Sequence, residues 1–495
     1  MTSTTHKVRI VTAASLFDGH DAAINVMRRI MQSMGAEIIH LGHNRSVAEI
    51  VECAIEEDAN GIAITSYQGG HVEFFKYMKD LLNENGCGHI KIFGGGGGTI
   101  LPAEIKELQD YGITRIYSPD DGRHMGLEGM IEDVINRCKA PLLRLGEGNS
   151  SKQPDYWKAS ENWNGKLPLG EARDIRRIAR AITLAEASQD FSEILPKLTG
   201  SLQMPRPRRS RGDFPVLGIT GTGGAGKSSV TDEIVRRFLQ AFTDKTIAVI
   251  SVDPSKKKTG GALLGDRIRM NSIHHPRAYM RSLATRESDV ALSKYVQEAI
   301  DIVQSQQYDF IILESAGVGQ SDASILDFCD ASMYVMTPEY GAASQLEKIN
   351  MLDYADVICI NKFDKAGAMD AYNDVCKQYK RNHKLFTAAN EDLPVIGTTA
   401  SKFNDEGVNT LFDKIVAIIN EKTGANWIGA KTLQEQRVST SDATIIPAKR
   451  VRYLSEICEV IRSYNSWVNE QSNIASQLYQ LEGTIKLLAD NNNNI

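Results

Sequence analysis

A glycine-rich run near the middle of the chain has the residue types and spacing of a phosphate-binding loop. Residues 221–228 read Gly-Thr-Gly-Gly-Ala-Gly-Lys-Ser and match the pattern G-x-x-x-x-G-K-[ST] in full. The apolar run 214–220 predicts a strand before it, and a helix-periodic pattern begins at Lys227. A loop between a strand and a helix N-terminus directs backbone N–H groups at a phosphate chain. The residues expected on the phosphates are Gly223, Gly224, Ala225, Gly226 and the catalytic Lys227, with Ser228 on Mg²⁺.

A second motif indicates which base the nucleotide carries. Asn361, Lys362 and Asp364 follow the apolar run 357–360, which predicts a strand downstream of the phosphate loop. The carboxylate of Asp364 can accept two N–H bonds from the edge of guanine, whereas adenine offers no matching pair of donors. The motif therefore predicts GTP and GDP rather than adenine nucleotides.

Acidic residues at the ends of further predicted strands are candidates for the metal. Glu314 follows the apolar run 308–313, Asp253 follows the run 247–252, and Asp266 lies near a predicted loop tip. Mg²⁺ prefers hard oxygen ligands in an octahedron, and carboxylates supply them. Glu314, at the Mg²⁺ side of the phosphates, is also a candidate catalytic residue. Taken singly, each aspartate reads equally well as a solvated loop residue.

Three segments near the N-terminus suggest a second site with different chemistry. Residues 18–20 read Asp-Gly-His after the predicted strand 8–13, at the sheet edge where open parallel sheets bind ligands. A neutral imidazole is a good cobalt ligand, and a nearby acid can hold its other ring nitrogen. Such a pair alone is more often incidental, but loops 66–70 and 94–98 also follow predicted strands, and five glycines let a flat group approach the backbone. The candidates are Asp18, Gly19, His20, Ser66, Gly94, Gly95 and Gly96.

Strand-type and helix-type patterns alternate in two long stretches, which predicts α/β domains with parallel sheets. Residues 1–140 contain five predicted strands, and residues 214–422 form a second domain around the phosphate loop. Residues 141–213 are predicted to be a helical linker, and residues 423–495 a helical extension. The loop 256–261, rich in lysine and glycine, is predicted to be mobile, either as a switch or only as a charged surface loop.

Composition sets the class of protein more broadly. The chain has 495 residues and a net charge of −6, which gives no reason to expect nucleic-acid binding. No apolar run approaches the roughly 20 residues of a membrane span. The 7 cysteines are scattered and form no C-x-x-C pair, as expected of reduced thiols. We therefore expect a cytoplasmic protein without a membrane partner.

The second domain resembles the MeaB/ArgK-type G-protein chaperones of cobalamin enzymes, a class of P-loop G-domains. The resemblance rests on Val-Asp-Pro at 252–254, Gly-Asp-Arg-Ile-Arg-Met at 265–270 and Glu-Ser-Ala-Gly-Val-Gly-Gln at 314–320. At 315–316 this chain has Ser-Ala where the family usually has threonine. The resemblance implies a nucleotide contact from Arg269 and Mg²⁺ bound by Ser228, Asp253, Asp266 and Glu314, with Val252 and Ser315 as further ligands.

The first domain resembles the cobalamin-binding domain of adenosylcobalamin mutases, which is flavodoxin-like (Rossmann-like). The three loops occur in the family's order over residues 7–139, although Ala23 stands where the family has glycine. The resemblance implies adenosylcobalamin bound with His20 below the cobalt. It also implies that the displaced nucleotide tail runs into a slot lined by Ser66 and the glycines.

The complete domain order is similar to the N-terminal part of the fused isobutyryl-CoA mutase family. That resemblance implies part of an acyl-CoA mutase of the isobutyryl-CoA/butyryl-CoA type, a radical rearrangement, and a GTPase that gates cofactor loading and protects the enzyme. It further implies a CoA-substrate barrel on another chain or a missing segment, since residues 423–495 are too few for a barrel of about 250 residues. A homodimer through the G-domain is also expected.

Two alternatives remain open: a corrinoid methyl-carrier protein, which leaves the GTPase unexplained, and a stand-alone regulatory GTPase, which leaves the glycine run unexplained. We also expect the two sites to be coupled through the loop 253–269. The proline- and arginine-rich segment 204–211 is expected to act as the hinge.

Overall fold

The computed structural model describes most of the chain in seven stretches, 7–139, 175–187, 214–286, 291–317, 323–340, 346–428 and 453–492. The segment 204–211, predicted as a hinge, lies outside the described residues. Residues 1–432 form one compact unit and residues 433–495 another.

The described residues form two parallel sheets. The first contains β1 to β5, which are Arg9–Ser15, Glu37–Arg45, Gly61–Thr65, Lys91–Gly95 and Arg115–Tyr117. Its strand order is β5-β4-β3-β1-β2, followed at the edge by β8, Ala262–Leu264. Reading 2-1-3-4-5 from β2, this is the flavodoxin-like order, so the predicted fold class of the first domain is confirmed.

The sixth strand of this sheet differs from the prediction. The sequence predicted five strands here and no strand at residues 262–264, yet β8, directly after the loop 256–261, pairs in parallel with β2, with Ala262 opposite Glu37 and Leu264 opposite Ile39. Strand β8 lies between the acidic candidates Asp253 and Asp266, so the second domain contributes a strand to the first sheet.

The second sheet has seven parallel strands in the order β13-β12-β11-β6-β10-β7-β9. Each central strand is buried on both faces, as expected of a parallel sheet covered by helices. These strands are β6 Val216–Gly221, β7 Ile247–Asp253, β9 Ala278–Ala284, β10 Phe310–Glu314, β11 Ala331–Met336, β12 Val357–Asn361 and β13 Val395–Thr398.

The described helices of residues 1–432 cover the faces of both sheets, and the last described helix, Tyr453–Asn492, belongs to the other unit. In the first domain they are α1 Ala22–Ser33, α2 Val47–Glu56, α3 His71–Glu84, α4 Pro102–Tyr111 and α5 Pro119–Cys138. Helix α2 begins with a capping box, in which Ser46 Oγ accepts from the Glu49 N–H and the Glu49 carboxylate accepts from the Ser46 N–H. The remaining helices are α6 Ile175–Ala187, α7 Lys227–Ala241, α8 Val296–Ser305, α9 Met351–Tyr354, α10 Ala368–Asn382, α11 Glu406–Thr423 and α12 Tyr453–Asn492.

Helix α6, from the predicted linker, packs against both domains. Its apolar residues, including Ile178 and Ile182, belong to the core of the second sheet. On the other side Arg180 pairs with Asp58 at 2.8 Å, and Arg176 donates to the Asn85 carbonyl at 3.0 Å. Hence α6 joins the two domains into one unit.

Helix α12 lies in the other unit. Its large apolar side chains, such as Trp467 and Leu478, are exposed within that unit. Among the described residues, no helix is both long and apolar enough to cross a membrane.

Candidate functional site

The first site lies where the three predicted loops leave neighbouring strands β1, β3 and β4. Ser15 Oγ donates to Ser66 Oγ at 2.9 Å, and the Ser66 N–H donates to the Gly95 carbonyl at 2.9 Å. Strand β1 lies between β2 and β3, where the strand order reverses, and such switch points open a crevice at the carboxyl ends. The fold therefore brings the candidate loops of the first domain together.

Asp18 and His20 form an oriented pair in this crevice. Asp18 is buried, and its Oδ1 lies 2.8 Å from His20 Nδ1 while its Oδ2 accepts the Tyr67 N–H at 2.6 Å. Burial alone raises the pKa of Asp18, but hydrogen bonds from the Tyr67 and His20 backbones outweigh it and lower that pKa. The His20 side chain is 74% exposed, so the ring presents Nε2 outward. A carboxylate behind an exposed imidazole suits a metal-ligating histidine.

Two of the glycines in the run 94–98 are required by packing inside the protein itself. A Cβ on Gly96 would lie 1.9 Å from the Ser66 carbonyl oxygen, and one on Gly94 would lie 2.4 Å from Phe75 Cζ. A Cβ on Gly98 would meet nothing within 4 Å. Close packing inside the protein thus requires Gly94 and Gly96, whereas Gly98 faces open space.

A pocket of about 280 Å³ opens beside these loops, between α1, α5 and the ends of the central strands. Its wall is mainly apolar and includes Met27, Phe93, Tyr117 and Leu127. Tyr67, whose ring centroid lies 5.4 Å from that of His20, connects the pocket wall to the imidazole. The helical spacing of Ile24, Met27 and Met31 predicts one apolar helix face, but it does not indicate what covers that face, so the sequence did not reveal that Met27 lines the pocket.

The second site is built around the phosphate loop between β6 and α7. Gly221 and Gly226 have positive φ angles of 150° and 91°, and Cβ atoms there would meet Val335 O at 2.0 Å and Asn361 Nδ2 at 2.4 Å. Lys227 Nζ donates to the Gly221 carbonyl at 3.2 Å, so its ammonium group lies across the loop. The loop therefore needs glycine for its backbone shape.

Four predicted metal ligands meet at the start of α7. Ser228 Oγ lies 2.8 Å from Asp266 Oδ1 and 3.0 Å from Glu314 Oε1. Asp253 Oδ2 accepts the N–H of Gly265, the residue before Asp266, at 3.0 Å. These groups offer the hard oxygens that Mg²⁺ binds.

The electrostatics of this cluster favour a cation. Burial raises the pKa of Glu314 to about 8, and the nearby charge of Asp266 adds to the rise. Burial and the same neighbouring acids also raise the pKa of Asp253 well above its usual value. Within the described ranges, however, no three His, Cys, Asp or Glu side chains form a group that could hold a metal. Mg²⁺ usually retains several waters and is bound by one or two carboxylates together with nucleotide phosphates.

Other implied ligands of this site are placed differently. Ser315 Oγ donates to Thr220 Oγ1 at 2.8 Å, and Val252 is buried in β7. Arg269 is exposed at the end of the short turn that begins at Asp266. The roles of Ser315, Val252 and Arg269 remain predictions.

The base-reading motif divides into two parts. Asn361 Nδ2 donates to the Ala225 carbonyl at 2.9 Å, and Lys362 Nζ donates to the Gly224 carbonyl at 2.8 Å. These two residues therefore hold the phosphate loop. Asp364 is exposed, which leaves its carboxylate accessible to a base. The sequence did not reveal Ala400, whose N–H donates to Asn361 Oδ1 at 3.2 Å.

The fold and the two sites define a P-loop GTPase joined to a cobalamin-type α/β domain. Residues 178–452 match the family model "Methylmalonyl Co-A mutase-associated GTPase MeaB", and residues 8–119 match the B12 binding domain. The chain belongs to the MeaB GTPase family and carries a B12-binding domain. These matches confirm the predicted GTPase class and, at the level of the family, the predicted cobalamin and guanine nucleotide.

The chain is similar to two longer proteins named as mutases and to a protein named as a GTPase. The chain is 53% identical to the fused isobutyryl-CoA mutase of Geobacillus kaustophilus, over 97% of this chain and 42% of that protein. It is 50% identical to the fused isobutyryl-CoA mutase of Cupriavidus metallidurans, over 98% of this chain and again 42% of that protein. A Pyrococcus horikoshii protein named as a GTPase is 32% identical, over 58% of this chain and 88% of its own length. The chain thus spans less than half the length of the mutases it matches.

The Asp18–His20 pair predicts how cobalamin binding responds to mutation. We expect His20→Ala to abolish tight binding of adenosylcobalamin, and Asp18→Asn to weaken it by about 10–100-fold, the usual loss for the partner of a metal-bound histidine. Absorbance titration measures the affinity, and electron paramagnetic resonance of the cob(II)alamin form reports nitrogen coupling. His43→Ala, at another exposed histidine, is the control. An unchanged nitrogen signal in His20→Ala would exclude this residue as the ligand.

The exposed Asp364 predicts a switch of base preference. Asp364→Asn replaces an acceptor with a donor, so GTP affinity should fall by about 10–100-fold, as for hydrogen bonds to a charged group, while xanthosine triphosphate affinity rises. Competition against a fluorescent nucleotide measures both, with Asp370→Asn, at an exposed acid in the first turn of α10, as the control. Equal binding of ATP and GTP by the unchanged protein would contradict the prediction.

The glycine geometry predicts a contrast within one loop. Gly96→Ala should lower the free energy of unfolding by about 1–3 kcal/mol because its Cβ would overlap the Ser66 carbonyl. Gly98→Ala, which meets nothing, should change it by less than about 0.5 kcal/mol. Urea unfolding measures both values, and equal losses in the two variants would refute the packing argument.

Proposed function

We propose that this chain is the cobalamin-binding and GTP-hydrolysing part of an acyl-CoA mutase of the isobutyryl-CoA/butyryl-CoA type. The observation that carries the proposal is the union of both sites in one compact unit, with a strand of the GTPase domain added to the B12-binding sheet. The similarity to fused isobutyryl-CoA mutases over 97% of the chain supports it. A corrinoid methyl carrier would leave this shared sheet without a purpose.

In the B12-binding domain, His20 would bind the cobalt through Nε2 while Asp18 holds Nδ1. The residues present fit the group, because an oriented imidazole stands beside a pocket of about 280 Å³ that can take the displaced nucleotide tail. Adenosylcobalamin supplies the carbon radical that starts a carbon-skeleton rearrangement. Ser66 and Gly95 would line the slot through which the tail passes.

In the GTPase domain, the residues have separate roles. Lys227 would neutralise charge on the β- and γ-phosphates, and Ser228, Asp266 and Glu314 would hold Mg²⁺ with the phosphates completing its shell. Asp364 would select guanine. Hydrolysis would gate loading of the cofactor and protect the mutase from an incorrect one.

The complete reaction needs groups that bind the CoA ester. A CoA-substrate barrel, either on a separate chain or in a further segment, would supply them. We further propose that the protein acts in the cytoplasm and forms a homodimer through the GTPase domain. Sedimentation of the chain with and without GDP, followed by Arg or Glu substitutions on that domain's surface, tests the dimer.

The proposed gating predicts that the two ligands change each other's affinity. By linkage, a GTP analogue and adenosylcobalamin should alter each other's binding by the same factor, on the order of 5- to 150-fold. Calorimetric titration of each ligand in the presence and absence of the other, with and without the mutase barrel, measures this factor. Equal affinities in all conditions would mean that the shared unit only tethers the two sites, and the gating role would be wrong.

A further inference from the structure

A segment of the GTPase domain packs into the B12-binding domain. In the sequence this segment lies between Asp253 and Asp266, two candidate Mg²⁺ ligands. After Asp253 the chain reaches the first sheet, where β8 pairs with β2 and the Ala262 N–H donates to the Ala36 carbonyl at 3.2 Å. A Cβ on Gly261 would lie 2.1 Å from the Gln32 carbonyl oxygen, so the two backbones are in close contact. The segment then returns to the nucleotide site at Asp266.

Arg267, the next residue, fixes this segment to helix α2. It is 1% exposed, and its Nη2 lies 2.5 Å from Glu56 Oε2 while its Nε lies 2.8 Å from Glu57 Oε1. The two carboxylates stand at the C-terminal end of α2, where the helix dipole disfavours negative charge. A buried guanidinium compensates both acids, and the acids in turn fix the guanidinium.

Asp266 and Arg267 are consecutive residues whose side chains make contacts in different domains. The Asp266 carboxylate accepts from Ser228 and Ser251 in the GTPase domain. The Arg267 guanidinium pairs with Glu56 and Glu57 of the B12-binding domain. It also donates to the Met280 carbonyl of β9. The two residues are consecutive in a turn of four residues, Asp266–Arg269, so the position of the Arg267 backbone constrains that of Asp266.

We propose that Glu56 and Glu57 of the B12-binding domain are positioning residues of the GTPase site, because they fix Arg267 and thereby hold Asp266 beside Ser228. This inference rests on the proposed Mg²⁺-dependent GTPase function. Release of Arg267 should loosen β8 and weaken Mg²⁺ binding without affecting nucleotide binding in the absence of the metal. By linkage, Mg²⁺ and nucleotide should also stabilise the β2–β8 edge.

Helix α2 offers a matched control for this role. Glu52, one turn before Glu56, also contacts the GTPase domain, with its Oε2 2.9 Å from His274 Nδ1. It has no contact with Arg267 or Asp266 among the described hydrogen bonds and ion pairs. Glu52→Ala therefore removes an acid and an interdomain contact but leaves the Arg267 contacts unchanged.

The test compares Glu56→Ala and Glu52→Ala in the full chain. Alanine removes the Glu56 contact in either protonation state, which matters because burial raises the pKa of this carboxyl to about 8. The readouts are the Mg²⁺ concentration for half-maximal binding of a fluorescent non-hydrolysable GTP analogue, binding of that analogue in EDTA, and hydrogen exchange of residues 262–264. For Glu56→Ala we expect about a tenfold higher Mg²⁺ requirement and faster exchange, as for loss of a charge-assisted hydrogen bond.

Glu52→Ala should leave the Mg²⁺ requirement and exchange unchanged. If Glu56→Ala does not fold, Arg267→Lys replaces it, since lysine keeps the charge but cannot reach both acids as a guanidinium does. The inference is overturned if the Mg²⁺ requirement is unchanged in the variant that folds, or if Glu52→Ala raises it equally. Failure of the unchanged chain to bind the GTP analogue would instead overturn the proposed GTPase function.

Discussion

A buried network of charges between the two sheets is the interaction on which the unit depends. Among the described residues it contains four arginines and four glutamates: Arg9, Arg267, Arg281, Arg286, Glu37, Glu56, Glu57 and Glu186. Charges removed from water are costly unless they are paired, and loss of one partner leaves another charge uncompensated. Both domains and helix α6 contribute side chains to the network. Separation of any one of the three would therefore leave charged side chains without their partners. The network therefore fixes the arrangement of the two domains rather than simply adding attraction between them.

The members of the network are not equally compensated. Glu37 is buried, which alone would raise its pKa, but Arg9 and Arg286 lower that pKa to about 2. In the described part of the chain, Glu56 forms an ion pair with Arg267 alone, and burial raises the pKa of Glu56 to about 8. Next to Asp266, therefore, compensation of the buried Glu56 carboxylate depends on the guanidinium of Arg267. A change at the nucleotide site would act most easily at this part of the interface.

Local sequence patterns were sufficient to predict where the candidate loops lie, because each follows an apolar strand and strands β1, β3 and β4 of a parallel sheet end at one edge. The capping box at Ser46 and the phosphate loop were predictable for a different reason: each is formed by residues that lie within a few positions of one another in the sequence. The interface was not predictable in this way. Arg9 pairs with Glu37 across 28 positions and Arg286 pairs with Glu37 across 249, and nothing near either residue indicates the partner. The lysine-rich composition around β8 favours a loop, and only its neighbour β2 makes it a strand.

These constraints limit how the nucleotide can affect the B12-binding domain. A buried network of ion pairs cannot open partway at low cost, because partial separation leaves charges that are neither paired nor solvated. Packed interfaces accordingly tend to change between discrete states rather than bend gradually. The three-residue strand β8 and the turn after it connect Asp266, at the nucleotide site, to the edge strand β2 of the first sheet. Because Ala262 lies opposite Glu37, movement of this segment would change Asp266 and the edge of the first sheet together. A ligand bound to one domain would then change the other domain while the interface between the two domains stays formed.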